Sequence, residues 1–201
     1  MLFLNLFFIS IVGISDAATL PNFEIRGMSF LATVDSVKDI LNIRCERDDK
    51  APIGVICIDK TRGGSSKNSC WKPKHGLDDF VCNQSDKPIS EVPIDIYYRI
   101  ITNRVGRVDF SFPAEGFQLI RGAFESKYGK PAKVTSKEVQ TRLGAKYTNI
   151  IIQWHFKEGT LFLRKYDGKI SEGGGKIVSK RYEKEFSDRV ARKKKDAAND
   201  L

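Results

Sequence analysis

Four cysteines and two histidines carry most of what this chain of 201 residues could do as nucleophile, base or metal ligand. Cys45, Cys57, Cys70 and Cys82 fall within one 38-residue stretch at spacings of 12, 13 and 12, and the 119 residues that follow contain none. A zinc site would need close C-x₂₋₄-C pairs, which are missing. Disulfides are therefore expected, with three possible connectivities. Pairing Cys45 with Cys57 and Cys70 with Cys82 closes the shortest loops, each bridge contributing about 2–3 kcal/mol through the unfolded chain. His75 lies near Trp71, Lys72 and Lys74, and His155 lies between Gln153 and Lys157, so neither has a neighbouring carboxylate to orient it as a base. G-x-S-x-G, H-E-x-x-H, the phosphate-binding loop and the dinucleotide fingerprint are all absent. No enzyme, metal or cofactor is expected. A hydrolase using two carboxylates is the remaining catalytic route, since that pair leaves no motif.

Binding residues are easier to read than catalytic ones. Ile94–Ile100 and Val108–Phe112 alternate with period two, as an antiparallel hairpin turning at Thr102-Asn103-Arg104 would. A second hairpin is marked by Ile150, Ile152, Trp154 and Phe156, a turn at Glu158-Gly159, then Leu161 and Leu163. If the apolar positions point inward, alternation sends Tyr97, Arg99, Arg107, His155, Lys157, Phe162, Arg164 and Tyr166 outward, with Gln153, Asp95 and Asp109 among them. Aromatics mixed with arginines are the usual material of protein interface hot spots. A solvated face with cross-strand pairs is the simpler alternative. Trp71 and His75, in the cysteine-rich stretch, form a second candidate contact region.

Several elements must hold these residues. Leu2–Ile14 is an apolar run of signal-peptide length, followed by Ser15-Asp16-Ala17-Ala18, so residues 1–18 are expected to be a cleaved export signal. The run is too short to span a bilayer, so no transmembrane segment is expected after processing. Residues 33–42 suggest a helix with Thr33 as N-cap, and 52–59 a strand. Residues 60–92 suggest a long stapled loop. Phe117, Ile120, Phe124 and Tyr128 follow helical spacing, with Gly129 as cap and Pro131 as stop. Gly173-Gly174-Gly175 is expected to break the chain before a last strand. Residues 19–183 would then be one domain, and 184–201 a basic helix and frayed tail.

This order of elements indicates an α+β fold: an antiparallel sheet with helices packed on one face, in two helix-plus-meander units near 27–112 and 113–182. The helix signals Thr33-Val34-Asp35-Ser36-Val37 and Phe117 to Tyr128, the latter ending Lys127-Tyr128-Gly129-Lys130-Pro131, each precede cleanly alternating strands. In this the chain resembles small exported bacterial proteins built from helix-plus-meander units, namely the β-lactamase inhibitory proteins and the small outer-membrane assembly lipoproteins. The lipid-bearing cysteine of the lipoproteins has no counterpart here. The resemblance implies a binding or inhibitory role.

Charge adds a second possibility. Lys and Arg number 34 against 25 Asp and Glu, a net +9 that becomes +10 once the signal, with Asp16, is removed. Between 181 and 195 seven cations face three carboxylates. The expected function is therefore that of a periplasmic or secreted protein that binds another envelope or extracellular protein, as an inhibitor, immunity factor or assembly accessory. The alternative is a basic module contacting polyanions or anionic lipid through its C-terminal helix. Nucleic acid is not an expected partner of an exported chain whose basic residues are dispersed.

Overall fold

The Thr33 hydroxyl oxygen accepts the Ser36 amide at 3.2 Å, which caps α1 (Val34–Ile40) and turns Val34 and Val37 into the core. The structure is a computed structural model that describes residues 22–25, 27–30, 32–41, 44–45, 57–58, 68–73 and 77–199. The expected signal segment, His75 and most of the 52–59 strand candidate lie outside the described residues.

Beyond α1 the chain runs through β1 (Arg44–Cys45), β2 (Cys57–Ile58), β3 (Asn68–Trp71), β4 (Phe80–Ile89), β5 (Val92–Ile101) and β6 (Arg104–Pro113). A short 3₁₀ turn leads into α2 (Phe117–Tyr128), then β7 (Lys133–Gln140), β8 (Lys146–His155), β9 (Gly159–Arg164), β10 (Glu172–Ser179) and α3 (Lys180–Asn199). The described strands form one antiparallel sheet in the order β1-β2-β3-β4-β5-β6-β10-β9-β8-β7. The fold is α+β, and each of the first two helices leads into its own meander. The meanders join at β6–β10, where Val108 lies opposite Ile177.

The inward set read from alternation is buried throughout. Ile94, Ile96, Val108, Phe110, Phe112, Ile152, Trp154, Leu161 and Leu163 all belong to the main core. Phe124 of α2 packs edge-on against Phe110 and Trp154, and Tyr128 packs against Phe156, which meets Phe23 of the N-terminal segment. Gly129 ends α2 at φ 78°, a left-handed value open to glycine. The Trp154 indole nitrogen donates to its carbonyl at 2.9 Å.

Four expectations need correction. The 60–92 stretch is not one long loop, because β3 and the ten-residue β4 lie within it. Cys70 and Cys82 sit opposite each other on these two strands and form the expected disulfide. Cys45 stands opposite Cys57 in the backbone register, while the side chains of that pair lie outside what is described.

Gly173, Gly174 and Gly175 do not break the chain but form the middle of β10, between β6 and β9. Phe112 lies over Gly173 and Phe110 over Gly175, where an added Cβ would come within 2.4 Å of either ring. The glycines are strand residues because the phenylalanine rings of β6 fill the space their side chains would occupy.

A third element was missed altogether. β7 (KVTSKEVQ) is an edge strand whose two valines fall on opposite faces, so it has no alternation to read.

Fourth, the helices are not all on one face. α1 and α2 cover the inner face, but α3 crosses the outer one. Its Tyr182 and Phe186 pack with Ile101 and Val178, which share the outward parity of Arg99 and Lys176. Among the described residues no helix is long and apolar enough to cross a membrane.

Candidate binding face

Strand register places the outward residues in rows across the sheet. One row runs Trp71, Val81, Arg99, Arg107, Val178, Thr160, His155. The next runs through Tyr97, Asp109, Lys176, Phe162, Gln153 and Lys133. Arg164 lies in the third row, opposite Gly174 and Ile151. The structure therefore puts Tyr97, Arg99, Arg107, His155, Phe162 and Arg164 on one face, as alternation requires. Trp71 joins them: it is a strand residue on this face, not part of a separate loop region, and it is 36% exposed. Lys157 sits in the β8–β9 turn, exposed. Tyr166 lies just past β9, its backbone bracketed by both ends of the Asn149 amide and its ring edge-on to Tyr147.

The arginines are less available than alternation alone implies. Arg99 donates to Asp109 at 2.5 Å and to Asp78 at 3.1 Å, and Arg107 donates to Asp109 at 2.6 Å. Asp78 is nearly buried and also accepts the Tyr182 hydroxyl at 2.7 Å. Burial and the Asp78 carboxylate both raise the Tyr182 hydroxyl above the ordinary tyrosine range, so it stays protonated and donates. Arg99 thus helps fasten α3 to the sheet through Asp78, while Arg107 is engaged by Asp109 of its own strand. Arg164 is paired with Asp167 at 3.1 Å on the surface, where a pair contributes little. The His155 Nδ1 is 3.4 Å from the Thr160 hydroxyl and has no carboxylate beside it. Among the described residues no group of three or more His, Cys, Asp or Glu could hold a metal ion.

Sequence reasoning placed Tyr182 on the apolar side of the last helix but missed its partner Asp78 and the Asp79–Arg189 pair, which secure α3. Arg189 donates to the Leu77 carbonyl at 2.7 Å and to Asp79 at 2.8 Å. Asp79 accepts the Thr102 amide, and the Thr102 hydroxyl donates to Glu185. Thr102 and Asn103 form the β5–β6 turn at φ 50° and 58°. A β-branched residue in the left-handed region costs roughly 1–2 kcal/mol, which these two hydrogen bonds offset. The apolar stepping of Tyr182, Phe186 and Val190 was the one available signal, and it does not say which face the helix covers.

The docking of α3 should depend on pH. Burial alone would raise the Asp79 carboxyl, but the Arg189 hydrogen bond, the Thr102 amide and the charges of Arg189 and Lys72 outweigh it and hold it low. Glu185 is lowered in the same way: the Thr102 and Arg181 hydrogen bonds outweigh burial. A carboxyl that is more acidic in the folded state stabilises fully above its ordinary value, and that contribution is lost as pH falls through the folded value. As far as these two carboxyls are concerned, stability should therefore be flat from pH 7 to 5 and decline as the pH drops below their ordinary values of 3.8 and 4.5. Thermal melts across pH 7 to 2.5 check this, because Asp79→Asn should flatten part of the acid limb. An unchanged limb would remove Asp79 from the account.

Comparison of the chain with protein-family models, curated proteins and solved structures finds no match.

Proposed function

We propose that this is an exported protein that acts by binding another envelope or extracellular protein, as an inhibitor, immunity factor or assembly accessory. The observation that carries this reading is the outer sheet face past the row of Val178. Tyr97, Phe162 and Tyr166 are half-exposed there, and no helix among the described residues covers them. Lys176 lies over the Phe162 ring at 5.3 Å, so the aromatic is held in place before any partner arrives. A rigid sheet that presents aromatics loses little freedom on binding. The Cys70–Cys82 disulfide and the N-terminal signal pattern support export.

The second reading, contact with polyanions or anionic lipid, is favoured by one feature. α3 is exposed over residues 191–198 and carries Arg192, Lys193, Lys194 and Lys195 there.

Photo-crosslinkers placed at Phe162 and at Arg192 in the full chain, followed by mass spectrometry, separate the readings. The protein-binding reading expects one partner captured from position 162. It also expects a loss of about 30-fold or more in affinity for that partner in Tyr97→Ala/Phe162→Ala, with weak salt dependence. Capture from position 192 alone, with binding that collapses as salt rises, would overturn it in favour of the polyanion reading.

A further inference from the structure

At one end of the sheet the N-terminal segment on the inner face and the start of α3 on the outer face meet around a cavity of about 350 Å³. That volume is within the ordinary range for small-molecule sites, about 300–1,000 Å³. Among the described residues Arg104, Lys157, Lys180 and Arg181 line it, with Glu158 as the one carboxylate. Its walls are otherwise mostly apolar, from the Phe30 ring and from side chains whose stems are alkyl. Arg104, Lys157 and Lys180 are exposed at its rim, and Arg181 is paired with Glu185, so the described lining carries a net positive charge.

The partners of these cations reinforce the point. Arg104, Lys157 and Lys180 have no carboxylate partner among the described residues. Lys180 uses one of its donors on the Lys157 carbonyl at 3.1 Å. The Arg181 Nη1 donates to Glu185 at 3.0 Å and to the Ile101 carbonyl at 3.3 Å, but its Nη2 is buried with no hydrogen-bond partner among the described residues. That nitrogen is closed off from the cavity, so what Arg181 offers a ligand there is its charge rather than this donor.

We propose that this cavity binds a small amphipathic anion: a carboxylate or phosphate head on a short acyl or aryl tail. The guanidinium fork of Arg104 suits a planar, bidentate acceptor, and Arg181 and the lysines add charge. The apolar walls take the tail. The site is separate from the outer sheet face apart from Lys157, and it stands whether or not that face binds a protein.

The test is titration of the isotope-labelled full chain, followed by two-dimensional amide spectra. The probes are octanoate, octyl phosphate, 1-octanol and inorganic phosphate. Saturable shifts centred on residues 30, 104, 157 and 180–181 are expected with octanoate or octyl phosphate, and the better of the two identifies the head group. Octanol and inorganic phosphate each lack one half of the ligand and should bind at least tenfold more weakly. Arg104→Gln and Lys157→Gln should each weaken the better probe about tenfold, with the ligand-free melting temperature and spectrum outside the cavity unchanged. Equal shifts from octanol and octanoate would overturn the proposal, as would shifts centred on exposed Leu119 or Leu143 or no saturation in the millimolar range. If either variant proves unfolded, Arg104→Lys and Lys157→Arg replace it. Lys157→Arg keeps the charge and should retain binding of the probe, whereas Arg104→Lys loses the bidentate fork and should weaken it, and loss of binding in Lys157→Arg with none in Arg104→Lys would equally overturn the proposal.

Discussion

Gly175→Ala should destabilise the protein by about 3 kcal/mol, on the order of 10 °C in Tm for a chain of this size. The added methyl would sit 2.3 Å from the Phe162 carbonyl oxygen and 2.4 Å from the Phe110 ring. The oxygen belongs to the neighbouring strand β9, which is held in register on both sides, so it cannot retreat without loosening the sheet. The ring belongs to Phe110, which is 3% exposed and wedged against Phe112 and Phe124, so it has no empty space to swing into. Gly122→Ala is the control. It is a mid-helix glycine with nothing within 4 Å of the new methyl, and the change should stabilise by up to about 1 kcal/mol through helix propensity. Thermal melts of both variants decide the matter. A Gly175→Ala protein melting within two or three degrees of wild type would mean that the close approach of β6 and β10 is not what requires glycine.

Removing the Tyr182 ring should have an effect of similar size and a different character. Tyr182 is 3% exposed, stacks on Phe186 with ring centroids 5.5 Å apart, and fills the space above Gly106. Loss of an aromatic so placed costs roughly 3–5 kcal/mol. It should release α3 before the rest of the molecule unfolds, because α3 joins the sheet through a small satellite cluster and not through the main core. Ile101 and Val178 would then be uncovered, so Tyr182→Ala should bind a hydrophobic dye and show fast amide exchange in residues 181–190 at temperatures where β5 and β6 remain protected. Tyr182→Phe keeps the ring and loses only the hydrogen bond to Asp78, a cost of about 1 kcal/mol. If the two substitutions cost the same, the contribution of Tyr182 is the hydrogen bond and not the ring.

The contrast between these sites shows what could be read from the sequence. The β5–β6 hairpin and α2 were legible because one face of each is buried, which writes a period of two or of 3.6 into the residues. The outward set followed from the same parity. β7 was not legible because an edge strand with little burial needs no apolar face: Val134 and Val139 point to opposite sides. The glycines of β10 misled because their strand character depends on Phe110 and Phe112, residues distant in sequence. The partners of Arg99 were illegible for the same reason: Asp78 lies in a connection with no periodicity, so a residue that ties α3 to the sheet looked like part of an exposed patch. The cysteines held information that was only half used. Their spacings of 12, 13 and 12 match a strand-and-return meander, which is why the four positions fall in one register row across β1 to β4.

The single junction between the meanders has a kinetic consequence. Every strand from β1 to β6, and every strand from β7 to β10, pairs with its neighbour in the chain, so both halves can assemble from contacts close in sequence, which form quickly. Among the described strands only β6 and β10 must find each other across the length of α2 and three strands. Until they do, each half presents a bare edge of unpaired amides and carbonyls, and the β10 edge has three consecutive residues without side chains to guard it. The speed at which that seam zips should set the folding rate of the whole chain and the time during which an unfinished molecule is open to aggregation.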